Sequence, residues 1–253
     1  MSKFLRRAFI SAVLGAFTVV VVYRFPGWLF CLVVTVFVAF GLFEFFRMVE
    51  KKEIFVYKYF GTIIGGLIPV VIFMGNSFPE LKNLEPLLIV VATLLVLTLQ
   101  FARRDNAHDH LISAALTLFS IFYVAWFFSF LVKLRLLDNG ANLVFFLILV
   151  TKSADMAAYA IGSRFGKTEL LPRISPKKTK EGTLGGIFVS MLIAVTAGRF
   201  FTGFSLLHLL ALGIILAALG QTGDLAESLI KRDCGVKDSG SYLPGIGGFL
   251  DLI

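Results

Sequence analysis

Three stretches in the second half of the chain place charged and hydroxyl side chains where their surroundings are apolar. The first holds Lys152, Ser153, Asp155 and Tyr159 within an otherwise apolar run from Ala141 to Ile161. On a helix, positions 152, 155 and 159 share one face, because spacings of three and four residues bring side chains together. An ionisable group at mid-membrane costs about 2.5–3.5 kcal/mol on insertion scales, so it normally faces protein or a water-filled cavity. Lys152 and Asp155 could simply neutralise each other near the interface. Three polar groups in register favour a polar cleft.

The second stretch is the loop that follows, with Arg164, Lys167, Arg173, Lys177, Lys178 and Lys180 interleaved with Ser175, Thr179, Glu181 and Gly182. Lysines supply point charge and glycines permit close main-chain approach, which together suit a polyphosphate. A basic loop beside a membrane can equally bind anionic headgroups or fix topology. The phosphate-loop pattern Gly-x-x-x-x-Gly-Lys-Ser/Thr does not occur. The third stretch runs from Gly220 to Arg232. If it is helical, Gly220, Asp224, Glu227, Ser228 and Lys231 lie on one face. Beyond it come Lys237, Asp238 and a glycine-rich segment ending near Asp251. Carboxylates beside basic groups suit Mg²⁺ with a substrate phosphate, because Mg²⁺ takes one or two protein carboxylates and keeps its other positions for water and phosphate. The plainer alternative is an amphipathic helix exit with a flexible tail.

The elements that must position these groups are membrane spans. Of 253 residues, 58% are apolar and 16% charged, and the mean hydropathy is +0.89. Soluble domains are roughly 45–50% apolar and about 25% charged, so the composition excludes an ordinary soluble protein, and 28 Phe residues exclude disorder. Eight candidate spans follow from the apolar runs: Ala8 to Tyr23, Pro26 to Phe43, Tyr59 to Met74, Pro86 to Phe101, Leu111 to Val132, Ala141 to Ile161, Leu184 to Phe201 and Leu206 to Ala226. The runs are apolar at consecutive positions, which indicates helices; a barrel would alternate. The expected fold is all-α, a polytopic integral membrane protein of about eight transmembrane helices with a polar, cytoplasm-facing cleft in its C-terminal half. Residues 1–100 read as N-terminal membrane helices and residues 101–253 as a C-terminal membrane catalytic region.

Cytoplasmic loops carry the Lys and Arg excess. With the N-terminus inside, eighteen basic residues fall on the cytoplasmic side and five opposite, Lys152 lying within a span. That asymmetry predicts an even number of spans with both termini cytoplasmic. The basic start and apolar run resemble a secretory signal, but no small-x-small cleavage pattern follows, so a retained first helix is expected. Cys31 and Cys234 are too few and too dispersed for a disulfide framework or a zinc site. His108 and His110 flank Asp109 in a short loop, which supplies too few ligands for a metal. No internal repeat supports a repeat-built transporter.

Taken together, Asp155-x-x-x-Tyr159, Ser175-Pro-Lys177-Lys178-Thr179-x-Glu181-Gly182, Gly223-Asp224-Leu-x-Glu227-Ser228-x-x-Lys231-Arg232, Lys237-Asp238 and Pro244-Gly-x-Gly-Gly248-x-x-Asp251 resemble the phosphatidate cytidylyltransferases, or CDP-diacylglycerol synthases. The match covers residues 150–251. The resemblance implies a cell (inner) membrane enzyme of phospholipid biosynthesis that transfers CMP from CTP to phosphatidate, giving CDP-diacylglycerol and pyrophosphate. It implies that Asp224 and Asp251 hold Mg²⁺, alone or as part of a two-cation site. Asp224, Lys231, Arg232, Lys237 and Asp238 would be the catalytic set. Asp155, Tyr159, Ser175, Lys177, Lys178, Thr179, Glu181, Gly182, Glu227 and Ser228 would bind substrate. CTP, phosphatidate and membrane lipids are the implied partners, with no nucleic acid and with a homodimer allowed. Two positions depart from the family pattern: Ile246 stands in place of a histidine and Leu252 in place of an arginine. The C-terminal region is expected to lack the family's extreme C-terminus, with a mobile tail from about Ser239 and weak Mg²⁺ binding. The alternatives are a related CTP-dependent lipid or polyprenol kinase and a membrane anion carrier.

Overall fold

The computed structural model describes residues 3–103, 109–240, 242 and 247–252, with 3–9 and 11 described by their backbone alone. His108, Arg104, Pro244, Gly245, Ile246 and Ile253 therefore lie outside the described residues, as do the side chains of Lys3, Arg6 and Arg7. The chain forms two compact units, one of Met1–Leu137 with Cys234–Ile253 and one of Asp138–Asp233.

The first unit contains α1 (Lys3–Arg24), α2 (Gly27–Glu50), α3 (Lys58–Ser77), α4 (Leu84–Phe101), α5 (His110–Ser120) and α6 (Phe127–Arg135). A π-helical turn at Ile121–Trp126 joins α5 to α6, making one continuous 26-residue span from His110 to Arg135. Such turns occur mostly as single insertions within α-helices. The centre of the unit is α2, whose Val38, Leu42, Phe45 and Phe46 are fully enclosed. On α3, Gly61 and Gly65 lie against Phe46 and Leu42, the close approach that small residues allow between membrane helices. Two buried hydroxyls are satisfied within their own helix: Thr117 donates to the Ser113 carbonyl at 2.8 Å, and Ser129 donates to that of Ala125 at 2.6 Å. Glu85 of α4 accepts from Trp126 Nε1 at 2.9 Å and Lys133 Nζ at 2.7 Å. A charge in a hydrophobic span is tolerated in such a pairing.

The second unit is α7 (Gly140–Phe165), a two-stranded antiparallel hairpin of β1 (Glu169–Leu171) and β2 (Ser175–Thr179), α8 (Lys180–Phe201) and α9 (Leu206–Asp233). Its helices meet along small residues. Gly182, Gly186, Ser190, Ala194 and Gly198 of α8 are buried at intervals of four, and α9 presents Leu209, Gly213, Ala217 and Gln221 in the same way. Ser190 Oγ donates to the Gly213 carbonyl at 2.8 Å, tying the two stripes. Phe146, Val150, Ala194 and Leu209 form the apolar core.

Among the described residues, seven helical segments are long and apolar enough to cross a membrane, and all eight expected spans coincide with helices. The fold is that of a polytopic α-helical membrane protein. The hairpin is a small departure, since residues 169–179 read as loop. The expectation of a mobile tail from Ser239 is also corrected at the described residues of that tail. Ser239 is buried, and its amide donates to Asp251 Oδ2 at 3.1 Å. The packing partner that sequence reading lacked is Glu44 of α2, described below.

Candidate active site

In the second unit, the turn between hairpin and helix sets the site. Thr179 caps α8, its Oγ1 accepting from the Gly182 amide at 3.1 Å, an N-cap bond of the usual kind. Gly182 is required there: a Cβ would stand 2.6 Å from the Ala158 carbonyl of α7. Glu181 accepts the amides of Lys167 and Thr168 at 3.1 and 3.2 Å, which holds the strand entry against the start of α8. Both groups thus fix the frame that carries the basic hairpin.

That frame delivers Lys178 of β2 to Asp224 of α9, Nζ to Oδ2, at 3.3 Å. Asp155 of α7 is half-buried within the same unit. Further along α9 from Asp224, Lys231 pairs with Glu227 at 2.9 Å, both side chains mostly buried. Gln221, which sequence reading left without a role, is buried and donates to the Thr183 carbonyl at 3.2 Å, fixing α9 against α8. The arrangement therefore offers a carboxylate of α9 paired with a lysine of β2, and a second ion pair further along α9. Ser175 and Ser228 are half-buried, whereas Tyr159, Lys177 and Arg232 are exposed.

In the first unit are Lys237, Asp238 and Asp251. The first two are exposed. Asp251 Oδ2 accepts from Ser239 N at 3.1 Å, Ser239 Oγ at 2.9 Å and Gly248 N at 2.7 Å. Beside it stands Glu44, 1% exposed, accepting from Phe249 N at 3.0 Å, Leu250 N at 2.9 Å and Ser239 Oγ at 3.0 Å. Sequence reasoning missed Glu44. The signal was present: an acidic residue inside Phe43-Glu44-Phe45-Phe46 is an intramembrane charge, which by default indicates function or a specific partner.

Mg²⁺ can be tested against these donors. All are carboxylate oxygens, the hard ligands Mg²⁺ prefers, and Asp224, with half of its side-chain surface open, can supply one of the one or two carboxylates it usually takes. Ligating carboxylates are themselves hydrogen-bonded, as Asp251 is. Among the described residues no three His, Cys, Asp or Glu side chains cluster into an all-protein cage. The residues fit a cation shared with a phosphate ligand.

Fold and site together define a polytopic α-helical membrane protein bearing carboxylates within its helices and lysines on the hairpin between them. The chain belongs to the cytidylyltransferase family, whose model matches residues 5–253, as the motifs led one to expect. It is 33% identical over 214 residues to the phosphatidate cytidylyltransferase of Bacillus subtilis (strain 168), covering 83% of this chain and 78% of that protein. It is 38% identical over 174 residues to the phosphatidate cytidylyltransferase of Staphylococcus aureus (strain COL), covering 68% and 63%. Escherichia coli (strain K12) YnbB is 39% identical over 138 residues, 54% of this chain and 46% of that protein. The chain thus spans about half of YnbB and less than two thirds of the Staphylococcus aureus relative.

Proposed function

We propose that this chain is a phosphatidate cytidylyltransferase, transferring CMP from CTP to phosphatidate. The observation that carries the reading is the contact of Lys178 with Asp224, which joins the basic hairpin to the carboxylate-bearing helix within one compact unit. A lipid substrate and a soluble polyanion require a site where polar span residues meet a basic loop, and α7, β2 and α9 supply both. The names of the Bacillus subtilis and Staphylococcus aureus relatives support the same reaction.

In this reaction a phosphate oxygen of phosphatidate attacks the α-phosphorus of CTP. The new bond makes the diphosphate of CDP-diacylglycerol, and the bond from the α-phosphorus to its bridging oxygen breaks to release pyrophosphate. Such transfer depends mainly on positioning and charge neutralisation. Lys177, Lys178, Lys231, Arg232 and Lys237 neutralise phosphate charge. Asp155, Tyr159, Ser175, Glu227, Ser228 and Asp238 line or orient the substrates, and Thr179, Glu181 and Gly182 hold the hairpin that presents the lysines. Mg²⁺ would be held at Asp224 and at Asp251, each within its own unit, and supplies positive charge to phosphate oxygens when bound. An exposed ion pair contributes about 1 kcal/mol or less, so the half-open Lys178–Asp224 pair can exchange partners readily. Lys178 then turns to phosphate and Asp224 to the cation.

The site is taken to face the cytoplasm from the cell (inner) membrane, with both termini cytoplasmic, on the eighteen-to-five distribution of Lys and Arg. The test is turnover by the purified full chain in detergent micelles with Mg²⁺. CDP-diacylglycerol and pyrophosphate should form only when CTP and phosphatidate are both present. Release of CDP would instead indicate a kinase. Flux of anions across sealed vesicles without nucleotide turnover would indicate a carrier.

A further inference from the structure

The buried carboxylate of Glu44 lies in the N-terminal helices, outside every motif of the site, yet its bonds all go to the segment that carries Asp251. Its two oxygens accept the amides of Phe249 and Leu250, and Oε2 also lies 3.0 Å from Ser239 Oγ. That hydroxyl has one proton and stands 2.9 Å from Asp251 Oδ2 as well. Glu44 and Asp251 therefore share a single donor. The surrounding backbone is shaped to them. A Cβ on Gly240 or Gly248 would run into the Glu44 carboxylate, and one on Gly247, which sits at φ 129°, would run into Asp251. Phe249 packs on Phe37 and Phe40 of α2, with ring centroids 5.4 and 4.7 Å apart. Apolar packing alone would hold the segment; it does not require a charge buried to 1% exposure, which a membrane span accommodates only at a cost.

We propose that Glu44 is a positioning residue for Asp251: by gripping the Phe249 and Leu250 amides and sharing the Ser239 hydroxyl, it sets the direction in which the Asp251 carboxylate meets a divalent cation. The inference rests on the reading of Asp251 as a cation ligand. A carboxylate that only needed burial could be replaced by an amide of the same shape. Here Gln would turn an NH₂ toward amide donors and leave at least one of them without its acceptor, a loss that falls on the backbone next to Asp251.

The experiment uses the purified full chain in detergent micelles, with Mn²⁺ titrated and free Mn²⁺ read by electron paramagnetic resonance, alongside hydrogen exchange of the 247–251 amides. Asp251→Asn defines the class of Mn²⁺ site that this carboxylate contributes. Glu44→Gln should weaken that class at least tenfold and speed exchange at Phe249 and Leu250. In turnover, its loss should be recovered at high Mg²⁺, with the KM for CTP unchanged there. Should Glu44→Gln fail to fold, Ser239→Ala, which removes only the shared hydroxyl, should weaken the same class severalfold. Unchanged Mn²⁺ affinity in the folded Glu44 variant, or in Ser239→Ala where that variant stands in for it, overturns the positioning role while leaving Asp251 a ligand. If Asp251→Asn itself loses no Mn²⁺ site, the cation reading of Asp251 fails, and the inference with it.

Discussion

Asp224 carries half of its side-chain surface open and meets Lys178 at 3.3 Å, so its charge is available to a ligand rather than locked in the fold. Asp224→Asn keeps the shape and removes that charge. The expected loss is at least about 4 kcal/mol of transition-state stabilisation, roughly a thousandfold in rate, measured as kcat on the purified variant beside its melting temperature. Near-normal turnover in a folded Asp224→Asn would remove Asp224 from the cation site. Lys178→Ala should instead act on substrate use, raising the KM for CTP about tenfold or more with little change in melting temperature, because the pair it breaks contributes about 1 kcal/mol or less. Saturation kinetics with varied CTP check this. At this scale the pairing of Lys178 with Asp224 joins two residues that stand out in the sequence, because charged residues in an apolar chain normally have partners. Glu44 was less legible. Its partners lie some two hundred residues away in sequence, at Ser239, Phe249 and Leu250, and no local spacing announces such a pairing.

Helices were readable as elements because hydrocarbon leaves the backbone no partner but itself, and the apolar runs mark where that holds. The hairpin was not readable. Ser175–Thr179 contains Pro176 and two lysines, a composition poor in strand formers, and what fixes it lies in the next element: Thr179 capping α8 and Glu181 gripping the amides of Lys167 and Thr168. The close approach of α7 and α8 gives a direct test. Gly182→Val should place a branched side chain where even a Cβ would lie 2.6 Å from the Ala158 carbonyl, costing about 1–3 kcal/mol by overpacking. A lowered melting temperature in detergent is the expected result. Gly220→Ala on α9, where a Cβ meets open space, should leave it unchanged. Equal melting of Gly182→Val and the parent would mean that the two helices do not approach this closely.

Across the whole molecule, composition and apolar run lengths gave the class of fold, and the distribution of Lys and Arg gave an orientation. A reporter fused after Arg173 should report from the cytoplasm and one near Asn83 from the opposite side; both on one side would discard the orientation. Compactness was hidden from sequence, because Cys234–Ile253 returns to the unit formed by Met1–Leu137, a closure made by buried polar bonds to Glu44 and by Phe249 packing on Phe37 and Phe40, partners remote in sequence. The central claim is that CTP gives its α-phosphorus to a lipid phosphate. The most direct measurement supplies the purified chain with phosphatidate, Mg²⁺ and CTP labelled in parallel at the α- or the γ-phosphate, and then extracts the lipid. The account predicts α-label in the lipid and γ-label in pyrophosphate; γ-label in the lipid, with none from the α-position, would contradict it.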